Sequence, residues 1–199
     1  MNLDEISFFL TAGGRSSRMG EDKALLMLDG QSILQRILNV LNSVHTDISI
    51  IGHSEKYQSF GYPVIPDLIP GQGLMGGLYT AMKSTTKTYV FLVACDLPLI
   101  DAECILKVLG TEDHCDVIIA ASDSKIHPSL GCYHRRLLPI IQESIKKAQL
   151  KMKDFIYTCD YRTVEMDDLL EKNPNLLFNL NTKEDYQNLL ETWNKRSSD

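Results

Sequence analysis

The stretch Ile6-Ser7-Phe8-Phe9-Leu10-Thr11-Ala12-Gly13-Gly14-Arg15-Ser16-Ser17-Arg18-Met19-Gly20-Glu21-Asp22-Lys23 decides the fold. Its first part, Ile6 to Leu10, is a short apolar run that reads as a buried strand, and a glycine-rich loop carrying cations follows at once. Adjacent glycines let the chain turn sharply and bring backbone N–H groups close to phosphate oxygens, while Arg18 and Lys23 neutralise charge that the amides leave. The loop therefore reads as a seat for a nucleotide triphosphate. No Gly-Lys-Ser/Thr follows the first glycine at P-loop spacing, and the glycines do not fall as G-x-G-x-x-G, so both common nucleotide motifs are excluded. The alternative is a glycine-rich surface turn whose basic residues serve no ligand.

Outward from this stretch, short apolar runs alternate with helical patterns. Ile33, Leu34, Ile37, Leu38 and Leu41 share one helical face, and Ile48 to Ile51 reads as a strand ending at Gly52. Tyr89 to Ala94 is a continuous apolar run, hence a central strand, and a helix capped by Asp101 and faced with Ile105, Leu106 and Leu109 follows Pro98. Val117 to Ala121 and Leu130 to Tyr133 read as further strands, before a helix around Leu137 to Lys147. A helix is expected from Leu78 to Lys83, with Gly73, Gly76 and Gly77 in the loop before it. Residues 150–175 carry weak signals, and Thr182 with Asp185 makes a capping-box-like pair ahead of Tyr186, Leu189, Leu190 and Trp193. The alternation implies an α/β class: a three-layer, Rossmann-like fold with a mostly parallel central sheet. Residues 1–195 are expected to form one domain and residues 196–199 a frayed polar tail.

The composition narrows the function. A net charge of −6 and a pI near 5.4 argue against a nucleic-acid binder, so any anion site is local. No signal-like segment opens the chain and no apolar run reaches the ~20 residues of a membrane span, which points to a cytoplasmic protein without membrane attachment. The cysteines, Cys95, Cys104, Cys115, Cys132 and Cys159, are odd in number and never spaced C-x-x-C, so they read as reduced structural thiols. His45, His53, His114, His127 and His134 share no ligand-like spacing.

Open α/β sheets bind ligands at the carboxyl ends of their strands, and the singled-out residues fall there. Asp67 follows Val64-Ile65, and Asp96 follows the Tyr89 to Ala94 strand. An aspartate at the end of an apolar strand is costly to bury without a cation. Mg2+ meets that need, because it keeps water and takes only one or two protein ligands besides phosphates. The competing explanation is an aspartate that caps the loop at Leu97-Pro98.

The opening loop resembles the nucleotidyltransferases whose signature reads L-x-A-G-G-x-S-x-R-M-G-x-D-K, and within them the molybdenum cofactor guanylyltransferases. Pro66-Asp67 and Gly71-Gln72-Gly73-Leu74-Met75-Gly76-Gly77-Leu78 are similar to the family's acidic residue and G-x-G-P-L-x-G-L segment, with Leu74 where proline is usual. Ala94-Cys95-Asp96-Leu97-Pro98 resembles its C-D-x-P metal site, and His127-Pro128 and Phe178-Asn179-Leu180-Asn181-Thr182 its H-P and F-N-x-N-T elements.

The resemblance implies the nucleotide-diphospho-sugar transferase type of this fold and transfer of GMP from GTP to the terminal phosphate of molybdopterin, or of the molybdenum-loaded cofactor, with release of pyrophosphate. It implies Arg18, Lys23 and Asp96 as catalytic residues, and Thr11, Ala12, Gly13, Gly14, Lys23, Asp67 and Asp96 around the nucleotide. Gly77, His127, Asn179 and Asn181 fall to the acceptor side, and Asp96 with Asn181 to Mg2+. For several of these a plainer reading stands beside the functional one. Asp67 would cap the turn before Pro70-Gly71, His127 would be an ordinary loop histidine, and the two asparagines would tie down the turn before Thr182. Molybdoenzyme apoproteins or cofactor chaperones are further partners in such a family. A cytidylyltransferase of the same fold and a non-catalytic GTP-binding protein that hands on the cofactor are the competing functions. Gly13-Gly14 and Asp22-Lys23 favour the guanylyl branch, and the intact Lys23 and Asp96 favour catalysis.

Overall fold

The computed structural model describes residues 1–12, 22–111 and 114–196. A seven-stranded sheet forms its centre. Its strands are β1 (Ile6–Thr11), β4 (Ile48–Ile51), β5 (Val64–Ile65), β6 (Tyr89–Ala94), β7 (Val117–Ser122), β8 (Lys125–His134) and β9 (Tyr161–Glu165); β2 (Met27–Leu28) and β3 (Gln31–Ser32) pair separately. The order is β5-β4-β1-β6-β8-β7-β9, and β8 alone in this sheet runs antiparallel to its neighbours. The sheet is mostly parallel, as the alternation implies.

Every residue of β1 is buried, because helices cover both faces of the sheet. Ile6, Phe8 and Leu10 pack on one side with α1 (Ile33–Val44) and α3 (Ala102–Leu109). Phe9 packs on the other with α2 (Gly73–Lys83), α4 (Leu138–Lys146) and α5 (Met152–Ile156). The buried face of α1 is Ile33, Leu34, Ile37, Leu38 and Leu41, each worth about 1.5–3 kcal/mol in apolar burial. Ser32 caps α1 by accepting from the Gln35 N–H, and Asp101 caps α3 by accepting from the Cys104 N–H. A short α6 (Asp167–Lys172) precedes α7 (Lys183–Arg196), whose Leu189 packs with Leu28 and Leu99.

Four features depart from the sequence reading. The helix expected from Leu78 begins at Gly73, so Gly76 and Gly77 lie inside α2. His127-Pro128 lies within β8, not in a loop, because β7 and β8 form a hairpin whose turn residues Asp123 and Ser124 both have positive φ. β9 is an edge strand in which only Val164 is buried, so its apolar signal is faint. The final helix runs through Arg196, one residue into the expected tail, and residues 197–199 lie outside the described ones. No described helix is long and apolar enough to cross a membrane. The cysteines form no disulfide, and four of the five are buried.

The chain runs from β1 through α1 to β4 on one side, then crosses by α2 to β6 on the other side of β1. The strand order thus reverses next to β1, and a crevice opens outside the carboxyl ends of β1 and β6. Register makes those ends level, with Thr11 opposite Ala94 and Ile51.

Candidate functional site

Asp96 sits at this crevice, two residues beyond β6. Its neighbourhood is assembled mainly by backbone bonds. The Cys95 N–H donates to the Thr11 carbonyl at 3.0 Å, and the Leu180 N–H donates to the Asp96 carbonyl at 2.8 Å. That second bond brings the Asn179-Leu180-Asn181 segment to Asp96. Leu180 is fully buried while Asn179 and Asn181 are exposed, so the two amides share a side, and the Asn181 Nδ2 donates to the Asn179 Oδ1 at 3.3 Å.

The Asp96 carboxylate is short of partners. Its Oδ1 is buried and meets no hydrogen-bond donor among the described residues, although Ser129 bonds the carboxylate. Burial pushes its pKa above the ordinary carboxylate value, against the opposing pull of Lys23, of a backbone N–H and of Ser129. A buried unpaired carboxylate oxygen is costly unless a cation or proton meets it. A carboxylate oxygen, with asparagine amides on the segment tied to it by the Leu180 N–H, is the donor chemistry of a hard divalent cation of the Mg2+ kind.

Lys23 lies in the turn Lys23–Leu25, capped by Asp22, whose Oδ1 accepts from the Ala24 N–H at 3.1 Å. The Lys23 charge acts on Asp96, Cys95 and Asp185. Asp185 in turn accepts from the N–H groups of Asn181 and Thr182 at 2.8 and 2.7 Å, and its own N–H donates to the Thr182 hydroxyl at 3.1 Å. This is the reciprocal capping expected from sequence, with Asn181 added. Those bonds hold the Asp185 carboxyl below its ordinary range. The Cys95 thiol is buried and pushed up to about 12, which leaves it a packing residue and not a nucleophile.

The remaining predicted residues are placed as follows. Thr11 and Ala12 end β1 at the crevice, with the Ala12 N–H donating to the Ile51 carbonyl at 2.8 Å. Gly77 is buried in α2, where a Cβ would come within 2.8 Å of the Thr11 Cγ2. Its missing side chain lets the helix lie against the end of β1. Asp67 Oδ1 accepts from the Ile69 N–H and the Thr80 hydroxyl, both at 3.0 Å, so the carboxylate does cap its turn and also fastens it to α2. His127 is half-buried with its Nε2 2.7 Å from the Ser122 hydroxyl; burial, then the charges of Lys153 and Lys125, lower its pKa. Arg18, Gly13 and Gly14 lie outside the described residues.

Two contributors escape sequence reading. Ser129 reaches Asp96 because β8 pairs with the end of β6, Leu130 opposite Val93, so that the adjacent residue of β8 lies beside the segment leaving β6. Tyr57 is nearly fully buried and its hydroxyl touches both Ala12 and Asp22. Neither carries a local signal.

A glycine-rich sequence after β1, with a lysine acting on an undercoordinated carboxylate at the reversal of an α/β sheet, fits a nucleotidyltransferase. Comparison with known proteins makes this specific. The chain belongs to the MobA-like NTP transferase domain family, whose model matches residues 9–161. A Carboxydothermus hydrogenoformans relative named "Probable molybdenum cofactor guanylyltransferase" is 32% identical over 192 residues, covering 94% of this chain and 96% of its own. The molybdenum cofactor guanylyltransferase of Desulfosudis oleivorans is 28% identical over 190 residues, with 93% and 94% covered. The crystal structure of molybdopterin-guanine dinucleotide biosynthesis protein A from Archaeoglobus fulgidus superposes with a TM-score of 0.80 at 21% identity, over 95% of this chain and 99% of that one, and shares the fold.

Proposed function

We propose that this chain transfers GMP from GTP to the terminal phosphate of molybdopterin, or of its molybdenum-loaded form, and releases pyrophosphate. The observation that carries the reading is the buried Asp96 Oδ1, unpartnered among the described residues, in a carboxylate that Lys23 faces and to which the Leu180 N–H ties the asparagine pair. We assign Asp96 and Asn181 to Mg2+, which supplies compensation of phosphate charge when bound.

The chain's own residues do the positioning. Thr11 and Ala12 end β1 at the nucleotide side, the backbone amides of Gly13 and Gly14, with Arg18 and Lys23, seat the triphosphate, and charge-assisted bonds from the two cations fix its orientation. Asp67 holds the nucleoside side of the crevice through its turn on α2. Asn179 and His127, with Gly77 setting the depth of the crevice at Thr11, hold the acceptor. His127, its pKa lowered, is neutral near pH 7 and serves as a hydrogen-bonding group. No protein base is required, because a phosphate monoester loses its second proton near pH ~6 and arrives as the nucleophile. The catalytic task is to hold two anions in line and to stabilise charge on the group in transit.

Thermal unfolding in magnesium buffer tests the nucleotide assignment, since a ligand bound only by the folded protein raises its melting temperature. GTP is expected to stabilise the chain more than CTP or ATP at equal concentration. Equal shifts with the three would remove the guanine assignment.

A further inference from the structure

Tyr57 lies in the turn Glu55–Phe60 that follows β4, far in sequence from the glycine-rich loop. Its side chain is nearly fully buried, and its ring runs across Gly52, where a Cβ would come within 2.5 Å of the ring Cε2. A residue with a side chain at 52 would push the ring away. The ring's course carries the hydroxyl to 3.0 Å from the Ala12 carbonyl and to 2.9 and 2.8 Å from the two Asp22 carboxylate oxygens. One phenol therefore links the end of β1 to the cap of the turn that carries Lys23.

The chemistry of the contact is demanding. A phenol has one proton to donate, and three acceptor oxygens surround it. Burial first, then the hydrogen bond to Asp22 and its charge, push the Tyr57 pKa upward, so the group remains a donor throughout the neutral range. Asp22 is simultaneously the cap of the turn that carries Lys23. Whatever fixes Asp22 also fixes the place from which the lysine leaves the backbone.

We infer that Tyr57 is a positioning residue that fixes Lys23 relative to the end of β1, by holding Asp22, the cap of the lysine's turn, beside the Ala12 carbonyl. The inference rests on the guanylyltransferase reading for its choice of substrate, and on geometry alone for the clamp. A protein whose lysine is competently placed only a fraction of the time binds its ligand more weakly by that fraction, while the bound complex reacts normally. Loss of the clamp thus appears in KM and not in kcat. A hydroxyl that merely supported the fold would lower the amount of active protein, and with it the apparent kcat, and leave KM alone.

The test compares full-length wild type with Tyr57→Phe, which keeps the ring over Gly52 and removes only the donor. Two readouts are taken: GTP-dependent transfer to molybdopterin with magnesium, and hydrogen–deuterium exchange at the Ala24 N–H in the nucleotide-free protein. Expected are a KM for GTP raised about tenfold, kcat within about threefold of wild type, and exchange at Ala24 quickened about fivefold. Asp22→Ala, which alters the other end of the contact, should raise KM likewise. The double variant should raise it no further than the larger single change, since both remove one interaction. An unchanged KM, a fall confined to kcat, fully additive effects, or unaltered exchange at Ala24 would overturn the clamp. If the Phe variant does not fold, Gly52→Ala, whose Cβ would displace the ring and carry the hydroxyl off Asp22 while leaving Asp22 in place, carries both readouts with the same expected and overturning results. If wild type neither binds nor transfers GTP, the substrate reading fails separately, and exchange at Ala24 still decides the role of Tyr57.

Discussion

Replacing Asp96 with Asn is expected to raise stability while it removes activity. The carboxylate is buried, its Oδ1 meets no donor among the described residues, and its pKa is raised in spite of Lys23 and Ser129. For an acid with a raised folded pKa, the folded protein binds the proton more tightly than the unfolded chain does. Stability is therefore full below the unfolded value of ~3.9 and declines as pH rises through the folded value. At neutral pH the charged group costs stability, and an isosteric neutral amide relieves it. An unsatisfied buried polar group costs about 1–3 kcal/mol, more when charged. For a chain of 199 residues that corresponds to ~3–9 °C in melting temperature. The assay is thermal unfolding of both proteins without metal from pH 3 to 8, beside transfer at saturating GTP. The variant should melt higher at pH 7, the difference should close toward pH 3, and added Mg2+ should stabilise wild type alone. A variant that melts lower at pH 7 would show that Asp96 is a satisfied structural residue, and the argument for a cation at that oxygen would fall.

The donor and acceptor sides separate by mutation. Lys23→Ala should weaken GTP binding at least tenfold by titration, whereas Asn179→Ala and Asn181→Ala should bind GTP within about twofold of wild type and lose transfer in single turnovers. Parallel loss of GTP affinity in the asparagine variants would refute that division. Gly77→Ala places a methyl within 2.8 Å of the Thr11 Cγ2, and overpacking of about 1–3 kcal/mol set against a helix-propensity gain of ~1 kcal/mol leaves a net loss near 1 kcal/mol in denaturant unfolding. A stabilised Gly77→Ala protein would mean that α2 does not press on the end of β1 as described.

The parts of the fold that sequence shows are those whose pattern is decided locally. β1, β4 and β6 are buried runs and the face of α1 repeats at helical spacing, so both types are legible; on α3 Ile105 and Leu109 are buried as expected, but Leu106 is exposed, and Cys104 and Val108 complete the buried face. β9 exposes most of its residues at a sheet edge and therefore lacks the apolar alternation that marks a strand. The β7–β8 hairpin turns on Asp123 and Ser124, without the glycine that usually advertises two positive φ angles. The start of α2 was concealed by Gly73, Gly76 and Gly77, which read as loop residues although Gly77 serves a close approach to Thr11.

The site divides in the same way. Asp96 at a strand end and Lys23 after a glycine-rich turn are legible because their meaning comes from adjacent residues. Ser129 is delivered by the pairing of β8 with β6, and Tyr57 by packing against Gly52, so both depend on partners remote in the chain. The bond from the Leu180 N–H to the Asp96 carbonyl uses backbone atoms only and leaves no trace in residue identity.

The most direct test of guanylyl transfer is release of pyrophosphate by the purified chain with magnesium and molybdopterin, compared across GTP, CTP and ATP. The expected result is release that requires molybdopterin and is fastest with GTP by at least tenfold, with a guanine dinucleotide product in equal amount. Release led by CTP, or none with any nucleotide, would contradict it.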